Sequence, residues 1–144
     1  MTFPRIIISM LLLGSFACSS SKKLIYNSVE FGSGGGFTGM EKTYGFTEDG
    51  EIYATEGFHE SKSQEKIGTL DKKNIKSINK ELKKVKVESI KYNKPGNLFH
   101  FIEIEKDGKT YRYVWGSGSK DAPSEIKELY SYLMQQISSY TKKE

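Results

Sequence analysis

Apolar and polar positions alternate most regularly in LFHFIEIEKDGKTYRYVW, residues 98–115. A two-residue turn at Asp107-Gly108 sets Ile104 opposite Tyr111, Ile102 opposite Tyr113 and His100 opposite Trp115. Period two then sends Ile102, Ile104, Tyr111, Tyr113 and Trp115 to the core and places Glu103 across from Arg112 on the other surface. LIYNSVEF, residues 24–31, has strand-like content, and MEKTYGFTEDGEIYATEGF carries a second Asp-Gly pair at Asp49-Gly50. The same two-residue turn there predicts Phe46 opposite Tyr53, Thr47 opposite Ile52 and Glu48 opposite Glu51.

Two stretches have helical spacing instead. In DKKNIKSINKELKKV, Ile75, Ile78, Leu82 and Val85 recur at intervals of three and four, with Asp71 as N-cap and lysines on the far face, read as a solvated surface. After DAPSE, Ile126, Leu129, Leu133 and Ile137 form a second stripe flanked by Tyr130, Met134 and Tyr140. Pro123 suits the first turn, and Asp121 and Glu125 complement the positive end of the helix dipole. Two or three strands, a helix, a hairpin and a helix predict an α+β domain: an antiparallel β-sheet with two α-helices packed on one face.

The chain opens MTFPRIIISMLLLGSFACSSSKK. Arg5, the apolar run from Ile6 to Phe16 and the small residues before Cys18 have the layout of a signal peptide, and the run is too short to span a bilayer, which takes about 20 residues. GSFAC resembles a bacterial lipobox with Ser15 in place of the usual leucine, a relaxed form similar to that of Bacteroidota lipoproteins. The resemblance implies acylation of Cys18, the only cysteine, and a lipid anchor in the cell envelope, at the outer membrane facing the periplasm. The expected organisation is a signal peptide over residues 1–17, a lipidated cysteine and polar tether over 18–23, and one domain over 24–144. Losing 17 of 144 residues leaves 127, enough for one core, and losing Arg5 lowers the net charge from +4 to +3. That charge is too small to suggest a nucleic-acid partner, and with no second cysteine there is no internal disulfide.

GSGGGFTG, residues 32–39, holds five glycines in eight residues, and Gly34, Gly36 and Gly39 match G-x-G-x-x-G. A phosphate-binding loop of that kind leads from a strand into a helix N-terminus. This one leads into the strand-like MEKTYGFTEDG, so no nucleotide is expected. His59 and His100 are the only histidines, which makes a zinc site unexpected. The GSG triplets at residues 32–34 and 116–118 lack the spacing of a nucleophile elbow. No enzyme, metal or cofactor is expected. Two readings of the glycines stay open: a bulged strand crossover with Phe37 tucked into the core, or a contact loop with Phe37 as an aromatic anchor.

SGGGFTG, preceded by a strand and followed by MEKTYGFTEDGEI, resembles the opening of emfourin, a small proteinaceous inhibitor of thermolysin-like metalloproteases. The match falls on Gly35, Gly36, Phe37 and Gly39, and the order of helix, hairpin and closing helix is similar over residues 25–137. The resemblance implies a protein-binding module whose partner is an exported metalloprotease, with Gly35, Gly36, Phe37, Thr38 and Gly39 as candidate contacts. The export signal and NKPGN (93–97), which resembles exported lipoproteins of unknown function, depart from the family pattern. Two other roles are an accessory lipoprotein docking to a membrane assembly and a small-molecule carrier with a cavity lined by Tyr111, Tyr113 and Trp115.

Overall fold

The computed structural model describes residues 23–58 and 61–141; the expected signal peptide over residues 1–17, Cys18 and His59 lie outside the described residues. A seven-stranded, mostly antiparallel sheet and two helices make up an α+β fold. The strands are β1 (Ser28–Gly35), β2 (Met40–Thr47), β3 (Glu51–Phe58), β4 (Ser61–Thr69), β5 (Asn93–Lys94), β6 (Leu98–Lys106) and β7 (Lys109–Gly116). Their order across the sheet is β4-β3-β2-β1-β6-β7-β5, and only β5 runs parallel to its neighbour. Helix α1 (Lys72–Lys84) follows β4, and α2 (Ser124–Thr141) closes the chain. Among the described residues no helix is long and apolar enough to cross a membrane.

The β6–β7 hairpin has the register its alternation predicts: Ile104 faces Tyr111, Ile102 faces Tyr113 and His100 faces Trp115. Asp107 and Gly108 both have positive φ, 51° and 72°, as a type I′ turn requires. On the outer surface Arg112 donates to Glu103 at 2.7 Å.

The β2–β3 hairpin differs from expectation. Phe46 faces Ile52, and Gly45, not Phe46, faces Tyr53. The connection here is three residues, Glu48 to Gly50, with the Gly50 amide donating to the Thr47 carbonyl at 2.9 Å and Gly50 at φ 84°. This is a type I turn followed by a left-handed residue, which shifts the register by one. The segment entering β1 selects it by using both backbone groups of Glu48: its amide donates to the Asn27 carbonyl, and its carbonyl accepts from Leu24. The shift buries Ile52 against Phe46 and turns Tyr53 to the outer face, where its hydroxyl donates to Glu51 at 2.7 Å.

One buried cluster joins Val29, Phe31, Tyr44, Phe46, Ile52, Ile102, Ile104, Tyr113 and Trp115 of the sheet to Ile75, Ile78 and Leu82 of α1 and to Ile126, Leu129, Leu133 and Ile137 of α2. Both helical stripes are thus those the spacing predicts. Asp71 caps α1 by accepting from the Asn74 amide at 2.7 Å, and Lys83 and Lys84 complement the dipole at its other end. Asp71→Ala removes that cap without touching the core; the expected cost is about 1 kcal/mol, read as a lower urea midpoint at unchanged slope.

Helix α1 and its flanking segments are tied by hydrogen bonds to one end of the sheet. Asn79 at its middle accepts from the Ile25 amide and donates to the Lys23 carbonyl, just before β1. Its entry is tied to the β2–β3 turn by the Leu70 amide, which donates to the Gly50 carbonyl. Beyond its exit the Val87 carbonyl accepts from buried Tyr113, and Glu88 pairs with Lys106 beside the β6–β7 turn. This end, where the described chain enters, is the base. The β1–β2 turn and the start of β6 lie at the opposite end of β1.

Candidate functional site

The glycine run does two separate jobs, and the strand boundary divides them. β1 does not stop at Phe31 but continues without a bulge to Gly35, paired with β2 on one side and β6 on the other. Gly32 lies opposite Phe101, and Gly34 opposite Phe99. The Phe99 ring stands 3.0 Å from where a Cβ of Gly34 would be, so ring surface fills the space that a side chain would take. Phe101 is buried on this outer face beneath the Arg112 guanidinium, which lies 4.4 Å from its ring centroid.

The remaining glycines make the turn. Gly36, Phe37, Thr38 and Gly39 connect β1 to β2, with the Gly39 amide donating to the Gly36 carbonyl at 3.3 Å. Gly35, Gly36 and Gly39 have φ of 96°, 77° and 64°. The Gly36 amide donates to the Asn97 carbonyl at 2.7 Å, pinning the tip to the segment that enters β6. The Thr38 hydroxyl accepts from the Met40 amide at 3.4 Å. The G-x-G-x-x-G spacing therefore belongs to a strand–turn–strand unit, with no helix N-terminus following it.

Phe37 points into solvent with a relative exposure of 108 %, which removes the reading that tucked it into the core. Met40 at 41 % and Leu98 at 57 % are also exposed, at the paired ends of β2 and β6 on either side of Gly35. These two were missed in the sequence. Met40 directly follows the glycine motif, but Leu98 reaches the tip only through the pairing of β6 with β1, which no local pattern reveals. Gly35, Gly36, Phe37, Thr38 and Gly39 are thus brought together at this tip; Cys18 lies outside the described residues.

Behind the tip is an open depression of about 390 Å³ bordered by Thr38, Met40, Leu98, Ser33, Lys42 and His100. A cross-strand row runs beneath it from Trp115 through His100, Ser33 and Lys42 to Glu56. Lys42 and Glu56 form an ion pair at 3.8 Å. Tyr130 of α2 packs on the row, its ring 5.0 Å from His100 and 5.3 Å, edge-on, from Trp115. Burial raises the Tyr130 phenol and lowers the His100 imidazole from its ordinary 6.5.

His100 Nδ1 is buried without a hydrogen-bond partner among the described residues, so no carboxylate orients the ring as a base. Among the described residues no three His, Cys, Asp or Glu side chains are grouped to hold a metal ion. Tyr113 and Trp115 are core residues, Tyr113 anchored by its hydrogen bond to the Val87 carbonyl.

The lowered imidazole has a consequence for stability. As pH falls below 6.5 the unfolded chain takes up the His100 proton before the folded one does, so stability falls with pH until the lowered folded value is passed. Glu51 and Glu88, held below 4.5 chiefly by their hydrogen bonds to Lys66 and Lys106, lose their contribution only at lower pH. A decline in melting midpoint between about pH 7 and pH 5 that is absent in His100→Gln is therefore expected in a thermal-shift series. An identical decline in the variant would assign it elsewhere.

No protein-family model matches the sequence, and no curated protein matches it.

Proposed function

We propose that this chain is a lipid-anchored protein-binding module of the cell envelope, and that it inhibits an exported thermolysin-like metalloprotease through its β1–β2 tip. Acylated Cys18 would hold it at the outer membrane facing the periplasm. It binds and does not catalyse. We also propose that both helices pack on one face of the sheet; the shared cluster and the strand register, which puts its sheet residues on one face, support this.

The observation that carries the binding reading is Phe37, fully exposed at the tip of a turn that is itself tied down. Leaving a phenylalanine in water forgoes roughly 1.5–3 kcal/mol, which a pocket on a partner recovers. Met40 and Leu98 extend the apolar rim. The Gly36–Asn97 hydrogen bond and the Phe99 ring against Gly34 hold the turn in shape beforehand, so little ordering entropy remains to oppose binding. A preorganised hairpin with one aromatic anchor suits a concave cleft, and the emfourin-like stretch supplies the kind of cleft: a metalloprotease active site.

The test is titration of the protein against thermolysin, and against a thermolysin-like protease of the same host, following peptide hydrolysis. Stoichiometric, saturable inhibition with residues 36–39 left uncleaved is the expected result. Undiminished hydrolysis by both enzymes would remove the inhibitor reading and leave the tip to another envelope protein.

A further inference from the structure

We infer that the lysine face of α1 is a docking surface for anionic phospholipid headgroups, on the anchored side of the domain and remote from the Phe37 tip. The inference rests on the acyl anchor at Cys18 and adds the surface on which the anchored domain sits.

Lys73, Lys76, Lys80 and Lys83 form one stripe along α1, opposite its buried Ile75, Ile78 and Leu82. With Lys23 they border an open groove of about 560 Å³. Lys23 is paired with Glu48 and Asp49, and Lys84 with Glu81. Among the described residues the four stripe lysines have no carboxylate within ion-pair distance. From Asp71 to Lys86 the chain has seven lysines against two acids, +5, while the whole sequence carries +4. The positive excess of the protein is therefore concentrated in this element, and the remainder sums to −1.

Position identifies the occupant. Asn79 ties the middle of α1 to Lys23, and Lys23 lies five positions after Cys18. Five positions span at most about 18 Å, so an acylated Cys18 keeps the lysine stripe close to the headgroup layer. At that effective concentration weak individual attractions suffice. The exposed face of α1 presents lysine and serine with no exposed apolar side chain, whereas the core of a protein interface is depleted in lysine and rich in aromatic anchors. A diffuse anionic surface fits that chemistry better than a protein. The Phe37 tip lies at the other end of β1, about 25 Å away at the ordinary rise of eight strand residues.

The test uses the acylated chain extracted from host membranes and reconstituted into phosphatidylcholine vesicles with or without phosphatidylglycerol. Lysines are labelled with a water-soluble amine reagent and read by peptide mass spectrometry. Lys73, Lys76, Lys80 and Lys83 should react several-fold more slowly when phosphatidylglycerol is present, and high salt should abolish the difference. Lys94 and Lys120, towards the tip end of the sheet, should react equally in both. Equal rates at the stripe, with the acyl mass on the Cys18 peptide, would overturn the docking surface and leave the anchor standing. Protection in native envelope membranes but not in vesicles would assign the face to a protein and equally overturn it.

If the Cys18 peptide carries no acyl group, the anchor reading fails, and the same chain is sedimented with the two kinds of vesicle. Retention specific to phosphatidylglycerol that falls by about a hundredfold in partitioning for Lys76→Glu/Lys80→Glu/Lys83→Glu would keep the docking surface. Absence of retention would remove it.

Discussion

Phe37→Ala should weaken inhibition of the protease by about thirtyfold or more, while the unfolding free energy stays within about 0.5 kcal/mol of the parent. The two halves of this expectation have one cause. Phe37 touches nothing in its own domain that its removal could unpack, so its apolar surface stabilises only what is bound over it. An aromatic anchor at the centre of a contact commonly contributes 2 kcal/mol or more, which is the thirtyfold. Met40→Ser and Leu98→Ser, at the sides of the rim, should each cost less. Inhibition constants and thermal midpoints on the same preparations decide it. Unaltered inhibition by Phe37→Ala would place the contact elsewhere, and a collapse of the midpoint would mean that the side chain is part of the core after all.

The parts of the fold legible in the sequence are those where one local rule decides the outcome. Residues 98–116 alternate cleanly, and Asp107-Gly108 takes the two positive φ values that its chemistry favours, so pairing followed from counting outward. The helical stripes followed in the same way. Asp49-Gly50 is the same dipeptide with a different result, because Glu48 is already hydrogen-bonded on both sides by the chain entering β1. That contact joins residues more than twenty positions apart, and no window around the turn contains it. β4 was missed for another reason: SKSQEKIGT has lysine, serine and glutamine where a buried strand would have apolar residues. At one edge of the sheet it has β3 as its one neighbour among the described residues, and its charges discourage a second. The candidate site was half legible. The glycines and Phe37 are contiguous, whereas Leu98, Phe99 and Asn97 join them only through the β1–β6 pairing.

The glycines of the tip should respond very differently to substitution, and the contrast tests whether the tip is held as described. Gly35→Ala is expected to cost about 3–5 kcal/mol and to lower the melting midpoint by roughly 10–20 °C. At φ 96° an L-residue is strained, for about 1–3 kcal/mol. Its Cβ would also fall well inside van der Waals contact of the Asn97 carbonyl oxygen, the acceptor that fixes Gly36. Relief requires β6 to move away from the tip, breaking that hydrogen bond and lifting the Phe99 ring from Gly34. Gly39 has φ 64°, within the left-handed region that asparagine tolerates, and a Cβ there meets nothing within 4 Å. Gly39→Asn should accordingly leave the midpoint nearly unchanged. If the two variants melted alike, the glycines would be serving the turn only through flexibility, and the rigid presentation of Phe37 would lose its basis. A wide separation instead ties Phe37 to the sheet behind it, because the residue that positions the aromatic anchor is the one pressed against the start of β6.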